Sequence, residues 1–276
     1  MEELKFDIAI VGGGIVGLAT AYKLQLKYPK LCLAVIEKED SLAFHQTGRN
    51  SGVIHSGLYY KPDSLRAKNC VDGRKQLVAF ACQNNIDIDI CGKIVLATNN
   101  IQAKKLLELK INGEKNGLKD LKILDSNELK KIEPNAAGNA ALFVPESGII
   151  DYKQTTKKFA EKITSINKKS KIILSCEVLN FNNNFLLTSK GKIYTKNNIF
   201  CAGLFSDRLA KKDNLNTNMK IVGFRGDYYK LKDSSRHKVN NLIYPVPNPE
   251  FPFLGVHLTR MTDGSIECGP NAVYSF

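Results

Sequence analysis

The chain has 276 residues, 43% of them hydrophobic, enough for one large domain or two smaller ones with real cores. No apolar run approaches the roughly 18 residues that span a bilayer, and a strand-like run already begins at Phe6, so no signal or transit peptide is expected. The formal net charge is +13, but only seven of the 40 basic residues are Arg and no nucleic-acid motif accompanies them, so nucleic acid is not an expected partner.

The lysines are spread along the chain in pairs such as Lys157–Lys158 and Lys211–Lys212. That pattern reads as a solvated surface, one that also suits loose attraction to anionic lipid or an acidic substrate. The seven cysteines are scattered without a CxxC pair, and Cys32 and Cys201 sit in apolar runs. Mostly buried, reduced thiols and no metal site are expected. The expected location is cytoplasmic, peripheral on the inner face of the cell membrane.

In chain order, Phe6–Val11 is an apolar run, followed by three glycines and a helix over Ile15–Tyr28. Leu31–Ile36 reads as a second buried strand. A loop of Gly, Ser, Thr and Asn follows, then a helix over Pro62–Asn84. Strands are expected over Ile86–Ile90 and Lys93–Thr98, a helix over Gln102–Lys115, and a short helix over Asp125–Glu133 capped by Asp125 or Ser126. Ala141–Pro145 reads as a strand and Glu146–Asp151 as a turn. Tyr152–Asn167 is an amphipathic helix. Strands follow near Lys171–Leu174, Glu177–Phe181, Phe185–Ser189 and Asn198–Ala202, then a helix over Ser206–Lys211. From Ile221 the pattern is all strand: Ile221–Leu231, Leu242–Val246, Phe253–Arg260 and Ser265–Cys268.

The expected fold class is α/β, with an α+β cap. A Rossmann-like dinucleotide-binding domain over residues 1–90 and 144–221 is interleaved with a strand-rich substrate domain over 91–143 and 222–276.

Gly12-Gly13-Gly14-Ile15-Val16-Gly17 fits G-x-G-x-x-G in its proper context, after a strand and at a helix start. Gly12 permits the tight turn, Gly14 lets a pyrophosphate approach the backbone, and Gly17 lets helix pack on strand. The helix N-terminus offers N–H groups and a positive dipole end to phosphate. Glu37 lies twenty residues past Gly17, where it can accept from ribose hydroxyls, with Lys38 beside it. A nicotinamide domain would run on into another strand–helix unit. Here His45–Tyr60, HQTGRNSGVIHSGLYY, intervenes, a loop able to wrap a cofactor through Thr47, Asn50, Ser51 and Gly52 and to place proton-transfer groups beside it. Further on, a buried strand ending in Ala202-Gly203 brings bare backbone forward, and Val178 is placed to meet an adenine edge through its backbone. Either feature, taken alone, is better explained as ordinary sheet core; their order after Glu37 is what raises them.

These blocks resemble the FAD-dependent oxidoreductases of the D-amino-acid-oxidase-like superfamily and, within it, the L-2-hydroxyglutarate dehydrogenase/oxidase family. The residues that carry the resemblance are His45–Cys70, Cys91–Thr98, Phe143–Tyr152, Phe224–Leu231 and Leu242–Val273. Asp63 stands where the family usually has Gly. The family also continues past a GPNAV segment to another Gly-rich flavin loop, so the chain reads as a truncated member whose cofactor domain lacks its C-terminal part.

The resemblance implies FAD as cofactor and oxidation of a small L-2-hydroxy acid to a 2-oxo acid. The Cα hydrogen would leave as hydride to flavin N5, and oxygen or a quinone would accept the electrons. Histidine is the natural base for the hydroxyl proton. His55 is the first choice and His257 the second; His45 suits a hydrogen bond to the flavin, and His237 reads as a surface residue. Arg225, Arg260 and Lys93 are candidates to hold the carboxylates of the substrate, with Tyr60 as a hydroxyl donor. Arg225 is also explained by an ion pair with Asp227, Arg260 as a strand-end residue and Lys93 as a surface lysine. The alternatives are the same fold acting on an amino acid, glycerol 3-phosphate or malate, and a flavin-binding fragment without turnover.

Overall fold

A computed structural model describes residues 4–215, 218–251 and 253–275. Pro252, inside the family-like block Leu242–Val273, and Phe276 lie outside the described residues. The chain divides into two compact units: Met1–Asn50 with Tyr152–Gly223, and Ser51–Asp151 with Phe224–Phe276.

The first unit opens with β1 (Leu4–Val11), α1 (Ile15–Lys27) and β2 (Leu33–Ile36). The chain then enters the second unit through β3 (Val53–Ile54), α2 (Leu65–Gln83), β4 (Ile88–Asp89), β5 (Lys93–Ala97), α3 (Asn100–Lys115), β6 (Lys122–Asp125), α4 (Ser126–Ile132), β7 (Ala140–Val144) and β8 (Gly148–Ile150). It returns to the first with α5 (Tyr152–Ile166), β9 (Lys171–Ile173), β10 (Val178–Phe181), β11 (Phe185–Thr188), β12 (Gly191–Phe200) and α6 (Ser206–Lys212). The remaining strands are β13 (Gly223–Arg225), β14 (Tyr229–Lys230), β15 (Leu242–Pro245), β16 (His257–Arg260), β17 (Ile266–Gly269) and β18 (Val273–Ser275).

The first unit is built on one six-stranded sheet, ordered β10-β11-β12-β1-β2-β9. β12, β1, β2 and β9 run parallel; β10 and β11 form an antiparallel edge. All four residues of β2 are buried, which accounts for its unbroken apolar run. Phe6, Ala9, Val11, Ala34 and Ile36 share one core cluster. On the helical side, α1 packs on α5, with Tyr22 and Phe159 stacked at 5.1 Å.

The second unit carries a seven-stranded sheet, β14-β17-β16-β15-β5-β7-β6, a three-stranded sheet, β3-β8-β4, and the pair β13-β18. β5 lies between β15, parallel to it, and β7, antiparallel. Strand alternation separates two cores. Val95, Ala97, Leu142 and Val144 join one cluster, while Ile94, Ala141, Ile243 and Ile266 join another.

Several elements differ from the sequence expectation. The turn expected over Glu146–Asp151 contains β8, which pairs with both β3 and β4. These pairings draw residues 51–90 and 144–151 into the second unit, so its first boundary falls at Ser51 rather than near Cys91. β12 begins at Gly191 rather than Asn198: its polar half alternates, burying Ile193 and Thr195 while exposing Lys192 and Lys196. The single strand expected over Ile221–Leu231 is two, because β13 joins β18 whereas β14 joins β17. Of the cysteines, only Cys176 is buried and Cys82 is exposed, since Cys32 and Cys201 sit just outside the strands they adjoin. Asp63 adopts a left-handed φ of +64°, a conformation in which glycine is unstrained and Asp is tolerated.

Candidate active site

The glycine motif of the first unit forms a cradle in which each glycine answers a different contact. Gly12 has φ +121°, and a Cβ there would lie 2.3 Å from the Cys201 carbonyl oxygen. Gly17 packs against the same turn, where a Cβ would stand 2.0 Å from the Gly12 carbonyl oxygen. Gly14 is different. It caps α1 without a side chain, and a Cβ there would meet only Thr47 Oγ1, at 3.2 Å. Its outer face is therefore open backbone at a helix N-terminus whose first turn holds no acid, a setting made for phosphate.

Glu37 follows β2 directly and is buried, with its carboxylate fixed by two backbone donors: Gly13 N–H at 2.7 Å and Glu39 N–H at 2.9 Å. Each oxygen retains a lone pair for a ribose hydroxyl. Thr47 Oγ1 accepts from Ile15 N–H at 3.0 Å, and Asn50 Nδ2 donates to the Gln46 and Thr47 carbonyls. The first unit thus brings together Gly12, Gly14, Ile15, Val16, Gly17, Glu37 and Thr47 at one strand–helix junction, with Ala202 and Gly203 following the neighbouring strand β12. Val178 starts the edge strand β10. Lys38 lies over the Phe205 ring at 4.1 Å, and His45 pairs with Glu39 at 2.9 Å. Ser51 and Gly52, expected to bind the cofactor alongside Thr47, belong to the second unit.

In the second unit the register of the seven-stranded sheet gathers a polar cluster on one face. Lys93 sits opposite Leu242, and Tyr244 opposite Val95. Leu258 opposes Ile243, so its neighbour His257 opposes Tyr244. The Tyr244 and His257 rings stack at 4.0 Å. The Lys93 ammonium lies over the rings of Tyr59, at 4.4 Å, and Tyr244, at 5.3 Å. Tyr59 and Tyr244 escaped the sequence reading. The Tyr59-Tyr60 pair does not say which ring turns inward, and by sequence Tyr244 reads as one more apolar residue of the strand Leu242–Val246. Desolvation raises both phenols, Tyr244 to about 12.

His257 is 2% exposed. Its Nδ1 lies 2.9 Å from the Gly255 carbonyl oxygen, which only accepts, so Nδ1 carries the proton and Nε2 an unpartnered lone pair. Desolvation holds its pKa below the usual histidine value. His55 follows β3 and keeps solvent-accessible surface. Its pKa is nonetheless lowered to about 4, mainly by desolvation and then by the positive charges of Lys93 and His257. Both imidazoles are neutral at pH 7 and able to accept a proton. Between pH 6.5 and about 4 the unfolded chain therefore binds a proton at His55 that the folded chain does not. Stability is expected to fall as pH drops through that window, and melting curves of His55→Asn should show a shallower fall.

The other substrate candidates are not in this cluster. Arg225 is 66% exposed and paired with Asp227, Nε to Oδ1 at 2.8 Å. Arg260 alternates to the opposite face of β16 from His257, pairs with Asp89, and borders a cavity of about 520 Å3 that shares no lining residue with the cluster. His237 lines that cavity as well, in a short 3-10 turn. Tyr60 is half-exposed beside Tyr59, and its carbonyl accepts from Asn116.

A glycine-cradled junction with a fixed carboxylate, in a chain that also carries a neutral histidine pair beside a buried cation, defines a dinucleotide-dependent oxidoreductase. The chain belongs to the DAO family of FAD dependent oxidoreductases, whose family model matches residues 7–276. It is 47% identical to L-2-hydroxyglutarate dehydrogenase of Indibacter alkaliphilus over 99% of this chain and 69% of that protein. It is 42% identical to L-2-hydroxyglutarate dehydrogenase of Escherichia coli over 98% of this chain and 65% of that protein. The chain thus spans about two thirds of the length of these relatives. Among solved structures it is similar to the FAD-bound L-alpha-glycerophosphate oxidase of Mycoplasma pneumoniae, with a TM-score of 0.84 and 28% identity over 100% of this chain and 73% of that one. A glycine oxidase from Geobacillus kaustophilus shares the fold at a TM-score of 0.84 and 18% identity, over 99% of this chain and 73% of that one. The residues of the first unit fit FAD: the open face at Gly14 suits the pyrophosphate and the Glu37 carboxylate suits a ribose.

Proposed function

We propose that the protein oxidises L-2-hydroxyglutarate to 2-oxoglutarate. The observation that carries this reading is the grouping of Lys93, Tyr244 and His257 on one face of the seven-stranded sheet, with His55, after β3, near enough that both Lys93 and His257 oppose its protonation, in a chain whose relatives bear that activity in their names. FAD, when bound, supplies the two-electron acceptor that oxidation of a secondary alcohol requires. Gly14, the first turn of α1 and Glu37 hold its pyrophosphate and ribose. His55 takes the proton of the substrate hydroxyl, because of the two neutral histidines that Lys93 acts on it is the one that keeps accessible surface. His257 is a positioning residue, its proton fixed on Nδ1 by Gly255 and its Nε2 presented as an acceptor.

Among the described residues no helix is long and apolar enough to cross a membrane. We assign any contact with anionic lipid to the Lys-rich surface, at the inner face of the cell membrane, with oxygen or a quinone as final electron acceptor. The test is product formation by purified, FAD-supplemented protein offered L-2-hydroxyglutarate, a D-amino acid, glycerol 3-phosphate and malate in turn. 2-Oxoglutarate from the first substrate alone supports the reading; turnover of another substrate in its place replaces it.

A further inference from the structure

We infer that Lys93 is the charge that recognises a carboxylate of the substrate. The inference rests on the proposed 2-hydroxy acid reading and adds the residue that makes the site select an anion.

Lys93 opens β5, in the middle of the seven-stranded sheet, and is 1% exposed. A buried ammonium normally has a carboxylate beside it, because desolvating an unpaired charge is costly. Three partly buried arginines of the same unit each have such a partner: Arg74 pairs with Glu146, Arg236 with Asp233 and Arg260 with Asp89. Among the described residues no carboxylate or other hydrogen-bond acceptor pairs with Lys93. The groups that bear on it are Tyr59, Tyr244, Cys70, His55 and His257. Burial pushes the two phenols and the Cys70 thiol up and the two imidazoles down, so each is uncharged at neutral pH. Burial draws Lys93 itself down to about 8, so it stays mostly protonated at neutral pH and is the one charge of the cluster, with nothing in the cluster to neutralise it.

The two tyrosine faces return part of the desolvation cost through their quadrupoles. Ring faces leave the three N–H donors of the ammonium without lone pairs to meet, however, and a methionine would fill the same space at lower cost. Packing alone gives no reason for the charge. A bound carboxylate does, since it satisfies the donors with charge-assisted hydrogen bonds and cancels the buried charge.

The test is calorimetric titration of the FAD-loaded protein with glutarate, an unreactive dicarboxylate, for wild type and Lys93→Met. The variant is expected to bind roughly 10- to 100-fold more weakly, the size of one charge-assisted pair, with a melting temperature equal to or above that of wild type. A loss of affinity below about tenfold, or a fall in melting temperature with affinity retained, would make Lys93 a packing residue and overturn the inference. If Lys93→Met does not fold, wild type alone decides: equal affinity for glutarate and its neutral dimethyl ester overturns the inference, and preference for glutarate supports it. The two readings fail separately. Wild type that turns over L-2-hydroxyglutarate while Lys93→Met keeps its affinity leaves the proposed reaction standing without this residue. Lys93-dependent glutarate binding without turnover leaves the anion site standing without that reaction.

Discussion

His55→Asn is expected to lower kcat by roughly 10²- to 10⁴-fold, the usual contribution of a positioned general base. Flavin content and melting temperature at pH 7 should stay near wild type, because no hydrogen bond of the His55 ring is seen among the described residues and the side chain is accessible. His257→Asn should cost less in kcat and more in stability, since that ring is buried, stacked on Tyr244 and tied to Gly255. The pH profile separates the roles further. With His55 held at about 4 in the free protein, the acid limb of kcat/KM should lie well below the ordinary histidine range. If a substrate carboxylate cancels the Lys93 charge, one cause of that depression disappears on binding, and the acid limb of kcat should move to higher pH. Steady-state kinetics of wild type, His55→Asn and His257→Asn across pH check all of these points. Equal losses for the two histidine variants would remove the distinction between base and positioning residue.

Gly17→Val should abolish FAD binding outright. Its Cβ would fall 2.0 Å from the Gly12 carbonyl oxygen, a backbone atom that cannot swing aside. Moving it means parting α1 from the strand that positions the turn, so fold and cofactor are expected to fail together. Gly14→Ala separates the two. The nearest protein atom to that Cβ is Thr47 Oγ1 at 3.2 Å, the end of a small side chain, and the backbone is not left-handed there. The cofactor-free protein should keep its melting temperature, while the methyl group stands where the pyrophosphate must approach. FAD affinity is expected to fall by about tenfold or more, read as bound flavin absorbance per protein after gel filtration and as fluorescence quenching on titration. Unchanged affinity in Gly14→Ala would mean that the pyrophosphate does not cross this turn.

The opening of the first unit was legible in the sequence because its signals agree. An apolar strand end, a three-glycine turn and an acid just after a fully buried second strand each demand the others. Elements with a single local signal were harder to read. β8 is three residues long, Gly-Ile-Ile, and exists because β3 and β4 flank it, which no local pattern announces. The polar half of β12 was hidden by Lys and Asn on its solvent face. The same limit applied to the cluster in the second unit. Lys93 and His257 stand out by residue type, but what lays Lys93 beside Tyr244 is register between strands roughly 150 residues apart, and what stacks His257 on Tyr244 is the pairing of β15 with β16. Arg225 and Arg260 matched the chemistry of carboxylate binding equally well by type, yet each lies with an acid of its own.

The most direct measurement is anaerobic mixing of the FAD-loaded protein with L-2-hydroxyglutarate, followed through the visible absorbance of oxidised flavin. The L enantiomer is expected to bleach the flavin rapidly with stoichiometric formation of 2-oxoglutarate. The D enantiomer should leave it yellow, and His55→Asn should bleach slowly with the same amplitude. A flavin that stays oxidised with L-2-hydroxyglutarate but is bleached by an amino acid or by glycerol 3-phosphate would show that the protein is not an L-2-hydroxyglutarate dehydrogenase.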